Sequence, residues 1–405
     1  MNDYIKLAWR NLWRNKRRTL ITAASIFFGV VLSSFMSSMQ EGSYAQYIKA
    51  IVNFYSGYIQ IHEKGYWDEK VINNTLEYSL IKTKLRQVKG ITIATPRLEN
   101  YALASSEEIT KGVVVIGIAP QREDSITTLS KKIVKGRYLK NGDNGVLVGS
   151  TLAKYLNLTA NDTLVLLSQG YHGTSAAGKY PVRGIIKQPS PELDRTVVYM
   201  DITNCQELFS ARDRLTSLVI MVKNPDDVLT VKDEIASKIG HDFEIMDWKQ
   251  LNSMLLKEIE SDRAGNVITK GILYMVIAFG IFGTITMMTI ERKREFGIIT
   301  AIGMQKYKLS YILMMETILL GLIGAITGIA ASIPIIFYFS FHPIPLTGQA
   351  AETMLQMGFE PVMSFSVMPS IFYNQALTIF IFTLIIGLYP VFNISRLKIN
   401  KALRS

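Results

Sequence analysis

Gly173-Thr-Ser-Ala-Ala-Gly178-Lys179 has the spacing of a phosphate-binding loop, in which backbone N–H groups cradle phosphates and a lysine reaches the terminal one. That chemistry also needs a hydroxyl residue next, for magnesium, and a helix whose amino end faces the anion. Tyr180 and Pro181 follow instead. A flexible hairpin tip, with Gly170, Gly173 and Gly178 as turn residues, accounts better for the segment. His62, His172, His241 and His342 lie far apart, with no companion at metal-ligand spacing. No Gly-x-Ser-x-Gly elbow occurs. The pairs Glu107–Glu108 and Asp226–Asp227 sit in polar stretches that read as solvated turns, and Cys205, the only cysteine, cannot close an intrachain disulfide. The expectation is a non-catalytic chain without metal or cofactor-binding residues. One carboxylate stands apart: Glu316 is the only acid inside an apolar run, where charge is costly and functional by default. Its place about two turns from the end of that run favours a structural or coupling role over substrate or proton binding.

The elements that must position these residues follow from charge. Leu309–Ser395 runs 87 residues without Lys or Arg, although the chain carries 44 of them. Lipid excludes cations, and four stretches reach the roughly 20 apolar residues that a bilayer core requires. They read as transmembrane helices at 19–40, 271–290, 309–341 and 370–392. The flanks 1–18, 291–308 and 393–405 together carry a net +12, so the positive-inside rule places both termini and the 291–308 link in the cytoplasm. The first run is too long for a signal-peptide core and reads as an anchor. The net charge of +11 therefore hugs the membrane and does not mark a nucleic-acid binder.

Residues 41–270 form a large extracytoplasmic domain between the first two spans, and 342–369 a second outer loop. Strand-like patterns at 57–61, 112–118, 145–148, 163–167, 180–186, 196–200 and 217–222 alternate with helix-like stretches at 80–88, 150–156, 204–210 and 228–239. The fold class is thus membrane α-helical with four transmembrane helices and a large α+β domain. Trp248–Lys270 and Glu41–Ile51 read as helical stalks that continue the spans outward. Ile5, Ala8, Trp9, Leu12 and Trp13 form an apolar stripe opposite Lys6, Arg10, Arg14 and Arg17, an amphipathic helix on the inner leaflet. The link Glu291-Arg-Lys-Arg-Glu-Phe-Gly-Ile-Ile-Thr-Ala-Ile-Gly-Met304 fits either a short helix ended by Gly303 or an ordinary basic loop.

That link resembles the coupling segment of FtsX-like ABC permeases at Glu291, Arg294, Glu295, Gly297, Ile298, Ala301 and Gly303, with Met304 closing it. The likeness extends to Arg10-Asn11-Leu12, Glu316, Pro390 and Ala402-Leu403-Arg404. In the outer domain, Val115-Ile-Gly-Ile-Ala-Pro120, Lys135-Gly-Arg-Tyr-Leu139 and Val146–Ala153 are similar to the periplasmic core of macrolide-exporter and lipoprotein-releasing permeases. Pro181-Val-Arg-Gly-Ile185, Glu192-Leu-Asp194 and Val197–Met200 resemble the lipoprotein-releasing branch most.

The resemblance implies a permease of the bacterial inner (cytoplasmic) membrane that borrows its motor. A separate cytoplasmic ATPase dimer would bind ATP and magnesium, and this chain would hold no cofactor; its short tail after the last span leaves no room for such a domain. A second permease, copy or homologue, would complete the membrane half. Lipid-anchored cargo would enter a cavity whose candidate walls are Phe27, Phe28, Val31, Phe35, Met275, Phe279 and Phe282. The hairpin at 169–179 occupies the position where relatives protrude towards a periplasmic lipoprotein carrier, with Tyr171, His172 and Lys179 as candidate contacts. The function this implies is lipoprotein release from the inner membrane. Export of a periplasmic amphiphile or drug is the rival of the same class, and FtsX-like signalling to cell-wall hydrolases the rival of a different one.

Overall fold

The computed structural model describes residues 2–14, 16–107, 109–240, 242–356 and 359–396. Glu108, His241 and the Ala402-Leu403-Arg404 motif lie outside the described residues. Helices in chain order are α1 (Asn2–Arg14), α2 (Lys16–Ile51), α3 (Tyr66–Glu69), α4 (Tyr78–Leu85), α5 (Pro120–Thr127), α6 (Ser150–Tyr155), α7 (Pro191–Thr196), α8 (Ile202–Leu208), α9 (Val228–Ile239), α10 (Trp248–Leu251), α11 (Ser253–Glu291), α12 (Lys293–Ala301), α13 (Lys306–Phe341), α14 (Gln349–Gln356) and α15 (Pro369–Ser395). Strands are β1 (Ile59–Glu63), β2 (Leu76–Glu77), β3 (Ile91–Ser106), β4 (Ile109–Ile118), β5 (Ile133–Gly136), β6 (Val146–Gly149), β7 (Thr163–Gln169), β8 (Ser175–Ile186), β9 (Val197–Asp201), β10 (Arg214–Leu215), β11 (Ser217–Val222), β12 (Phe243–Asp247), β13 (Ile344–Pro345) and β14 (Val362–Met363). The chain divides into a helical unit (Met1–Gln46, Glu258–Pro345, Val362–Ser405) and an α+β unit (Tyr47–Lys257, Leu346–Pro361).

Four helices, α2, α11, α13 and α15, are long and apolar enough to cross a membrane. The first two are also much longer than a crossing needs. At ~1.5 Å per residue, α2 with 36 residues and α11 with 39 extend about 54 and 58 Å against a core of about 30 Å. Where the sequence suggests one stalk from Trp248, the helix breaks at Asn252, whose side-chain amide donates to the Trp248 carbonyl at 2.8 Å and closes α10. The bundle core joins Ile26 and Val30 of α2, Ile281 and Ile285 of α11, Ala325 of α13 and Ile379 of α15. A Cβ on Gly324 would stand 2.5 Å from the Cβ of Ile26, and one on Gly328 2.7 Å from that of Val30. Small residues here let α13 and α2 approach closely, as helix contacts in lipid require.

The amino-terminal basic segment is not one helix. Arg14 belongs to α1 and Arg17 to α2, and the Thr19 hydroxyl donates to the Leu12 carbonyl at 2.6 Å, a contact seven residues apart that one continuous helix could not make. The expected apolar stripe also divides: Ala8 and Leu12 are buried, with α1 packed on α13, while Ile5, Trp9 and Trp13 stay exposed.

In the α+β unit the strands pair in the order β12-β1-β11-β3-β4-β9-β6-β8-β5, and β7 bridges β3 to β8. The path β3-β4-β9-β6-β8-β7 thus closes on itself as a six-stranded barrel. Its interior holds Leu98, Val113, Val148, Leu164, Leu166, Val182 and Val198. A second lobe continues from β3 through β11, β1 and β12, where Ile61, Leu218 and Ile220 meet Ile81 of α4 and Val231 and Ile235 of α9. All seven expected strands and four expected helices have counterparts.

The longest strand, β3, was not expected. It serves both lobes, so its middle does not alternate: β11 pairs with Ile91–Arg97, β7 with Leu103–Ser105, and both faces are buried from Thr95 to Leu98. Arg97 occupies that stretch at 2% exposure. Its Nη2 and Nε donate to the two Glu123 oxygens at 2.6 and 3.1 Å, and Nη1 to the Tyr55 carbonyl at 2.6 Å. Burial opposes the charge, but Glu123 outweighs it and holds the guanidinium protonated.

Removing one partner of such a pair strands a buried charge. Arg97→Met in the full chain is expected to lose about 3–5 kcal/mol, and Arg97→Met/Glu123→Leu to recover most of it. Amide hydrogen exchange of β3 and β11 in micelles measures both, and an unchanged rate in the single variant would contradict the assignment.

Candidate functional site

The link between α11 and α13 is a helix, which decides between the two readings of its sequence. α11 ends at Glu291, Arg292 caps the next helix, and α12 runs from Lys293 to Ala301. Gly303, at φ +109°, then turns the chain into α13, a conformation that only glycine adopts without strain. Phe296 anchors α12 by packing with Leu309, Leu313, Ile394 and Met304. Gly297 is buried beside it, whereas Arg294, Glu295, Ile298, Ala301 and Gly303 face outward and Ile302 is 82% exposed.

Charge fixes the orientation of this helix. Glu316 of α13 is 1% exposed, and both its oxygens are engaged. Asn11 Nδ2 donates to Oε1 at 2.8 Å, Arg292 Nη1 to Oε2 at 2.6 Å, and Arg292 Nη2 to Oε1 at 3.4 Å. Arg292 Nε lies 3.6 Å from Glu295, and Glu295 pairs with Arg14. Asn11 and Arg14 share α1, so the contacts close a ring through α1, α13, Arg292 and α12. A further ion pair joins Arg18 to Glu291. Of the sequence candidates, Glu291, Glu295 and Glu316 are thus brought together, while Arg294 makes no ion pair among the described residues. Arg292, Asn11 and Arg14 complete the ring; the sequence placed Asn11 in a family motif and Arg14 on a polar helix face, but pointed to neither as a partner of these acids. A lone acid in an apolar run demands a cation, and Arg292 at the near end of the preceding span was the available signal.

The proposed cavity walls separate. Phe35 packs on Phe339 and Phe365 with ring centroids 5.7 and 4.9 Å away, and Phe282 on Tyr389 at 5.1 Å, so both hold helices together. Phe27 and Val31 are half-buried, whereas Phe28, Met275 and Phe279 are exposed.

The 169–179 segment is the end of the β7–β8 hairpin, with a tip narrower than the sequence suggests. Strand β8 starts at Ser175 and contains Gly178, which pairs with Leu166, leaving a turn of residues 170–174. That turn is tied down: Tyr171 N donates to the Phe209 carbonyl at 2.8 Å and His172 N to Asn73 Oδ1 at 2.8 Å. Tyr171 is half-buried against the barrel core, under the Arg214 guanidinium, while His172 and Lys179 are exposed. Of the aromatic pair only His172 is exposed. Asp194, read as a branch-specific motif, is a staple: its carboxylate accepts from the Thr151 hydroxyl at 2.6 Å and from the backbone N–H groups of Ser150, Thr151 and Gln188. Burial raises its pKa, but these bonds outweigh burial and hold it below the usual carboxylate range.

Among the histidines, His62 is buried, its Nδ1 donating to the Thr216 carbonyl at 2.8 Å and its ring stacked on Tyr66 at 5.3 Å. Its Nε2 is buried without a partner, and burial pulls its pKa down to about 4.

Residues 19–238 match the MacB-like periplasmic core domain, and residues 268–399 match the FtsX-like permease C-terminal region. The first match alone spans more than half of the chain. The chain belongs to the FtsX-like ABC transporter permeases. The permease is 23% identical over 249 residues to the lipoprotein-releasing system transmembrane protein LolC of Xylella fastidiosa, covering 59% of each chain. It is 23% identical over 356 residues to the macrolide export ATP-binding/permease protein MacB of Campylobacter jejuni, covering 84% of this chain and 54% of that one. The matches thus span little more than half the length of either relative. The solved periplasmic region of MacB from Actinobacillus actinomycetemcomitans is 16% identical, with a TM-score of 0.38, over 51% of this chain and 95% of that one. Family membership, with four helices long and apolar enough to cross a membrane, makes this a membrane protein with a large extracytoplasmic domain.

Two outcomes follow from the geometry. Glu316→Ala strands the Arg292 charge and is expected to cost about 3–5 kcal/mol, while Arg292→Met/Glu316→Leu restores the fold but not the orientation of α12. Hydrogen exchange across α12 distinguishes them, and native protection in Glu316→Ala would refute the ring. For His62 the folded value, about 4, lies below the ordinary 6.5, so its contribution is complete above pH 6.5 and is lost as pH falls towards 4, by up to about 3 kcal/mol. Acidifying from pH 7 to 5 should therefore weaken protection of β1, and His62→Gln should flatten that slope; an unchanged slope would exclude His62 as the cause.

Proposed function

We propose that this permease is the membrane half of an ATP-driven machine that works on lipid-anchored cargo outside the cytoplasm, releasing lipoproteins from the inner membrane to a periplasmic carrier. The reading places both termini and α12 in the cytoplasm and the α+β unit in the periplasm, between the first and second spans. A separate pair of ABC ATPase subunits supplies ATP and magnesium, and a second permease, copy or homologue, faces this one. The observation that carries the proposal is the ring around Glu316. A helix presented to a motor transmits force only if it is tied to the spans, and α12 is tied through Arg292, Glu295 and Glu316.

Motion imposed on α12 reaches α11 through the one-residue joint at Arg292. Helices as long as α2 and α11 carry such motion beyond the bilayer without a flexible linker. Cargo chains would meet the exposed Phe28, Met275 and Phe279, which offer apolar surface to lipid or to a facing permease. The relatives named for lipoprotein release support this cargo. The export reading keeps specific support of its own, since the tucked Tyr171 turn offers a carrier less to grip.

Reconstitution with an ABC ATPase that co-purifies with it tests the proposal. Acylated lipoprotein should leave proteoliposomes in an ATP-dependent way, and Glu295→Arg should cut release by at least about tenfold while hydrolysis continues, because the reversed charge repels Arg14 and Arg292. Hydrolysis stimulated by a soluble amphiphile, with no lipoprotein release, would favour export. Unchanged release in Glu295→Arg would reduce α12 to a passive link.

A further inference from the structure

Arg14, Lys16, Arg17 and Arg18 line one cavity of about 600 Å³. Its other wall is mainly apolar, with exposed Ile21 of α2 and Met287 of α11, while the hydroxyls of Thr22 and Thr284 there donate to their own helix backbones. Two of the cations are already matched, Arg14 by Glu295 and Arg18 by Glu291. Lys16 and Arg17 have no acidic partner among the described residues, so the cavity carries two uncompensated positive charges beside a surface that only lipid or an apolar partner would cover. Depth points the same way. Trp9 and Trp13 of the neighbouring α1 are both exposed and meet edge to face at 5.8 Å, and tryptophans on an amphipathic helix settle at the headgroup level.

An inorganic anion would answer the charges and leave the apolar wall wet. A zwitterionic lipid would cover the wall and add no net negative charge. We propose that this cavity binds the headgroup of an anionic phospholipid, its phosphate between Lys16 and Arg17 and one acyl chain along Ile21 and Met287. Basic pockets between membrane helices are suited to such headgroups, each cation near the surface contributing about a fivefold preference. The site rests on reading α2 and α11 as membrane spans, and is independent of the cargo.

The full chain in nanodiscs of equal phosphatidylglycerol and phosphatidylcholine, examined by native mass spectrometry, provides the test. Phosphatidylglycerol should be retained over phosphatidylcholine by roughly thirtyfold, from two uncompensated cations. Lys16→Gln/Arg17→Gln should bring the two lipids near parity, and Lys6→Gln, which removes an exposed charge of α1 outside the cavity, should leave the preference intact. Equal retention by the parent chain, or a preference that survives the double variant, would overturn the site. Displacement of bound lipid by millimolar glycerol 3-phosphate would overturn it too, since the cavity would then take any phosphate ester. A chain that stays out of the bilayer defeats the span reading itself, whatever its cargo.

Discussion

Burying the Glu316 carboxylate among apolar helices is the interaction on which the membrane half depends. A carboxylate there is tolerable only if paired and fully hydrogen-bonded, and the chain brings a guanidinium from one element and an amide from another to do so. Both donors come from segments that have to be held in place. Arg292 stands at the joint between a span and α12, and Asn11 on the amphipathic helix. The cost of an unpaired buried charge thereby becomes a constraint on geometry. Helix α12 cannot swing away from α13 without exposing either the acid or its counter-ion.

The α+β unit solves a related problem by the same means. Two lobes share β3, and where they meet no side of the strand faces water. An apolar residue at position 97 would serve one lobe; the guanidinium of Arg97 instead reaches both Glu123 and the Tyr55 carbonyl, so one side chain ties β3 to α5 and to the residues before β1. Close packing does the rest. A Cβ on Gly117 would meet the Cβ of Cys205 at 2.4 Å, which fixes α8 directly on β4 and explains a buried, unreactive thiol whose pKa burial raises.

The family motifs of the outer domain are read differently once placed. Gly117 and Asp194 are features of barrel closure, a helix seat and a helix cap, and Gly178 of the glycine-rich segment is a strand position against the Tyr180 ring. Motifs that mark a branch of a family therefore report its architecture here. The motifs of the link are of another kind, since Glu295, Ile298 and Ala301 remain exposed after α12 is packed.

By itself the sequence determined what depends on local pattern and on solvent. The four long apolar helices and the α+β character of the segment between the first two are legible because lipid excludes charge and strands with one wet face alternate. Glu316 was legible as an anomaly for the same reason. Its partners were not, since Asn11 lies 305 residues away and looks like any polar residue of an amphipathic helix. Only the tertiary structure decided that β3 is a strand, because a strand buried on both faces loses the alternation that would reveal it. It also decided that Tyr171 is tucked in, since the partner that holds it, Phe209, arrives from the end of α8, 38 residues further along the chain. Side-chain pairing across long sequence separations is set by the fold and leaves no period in the chain to read.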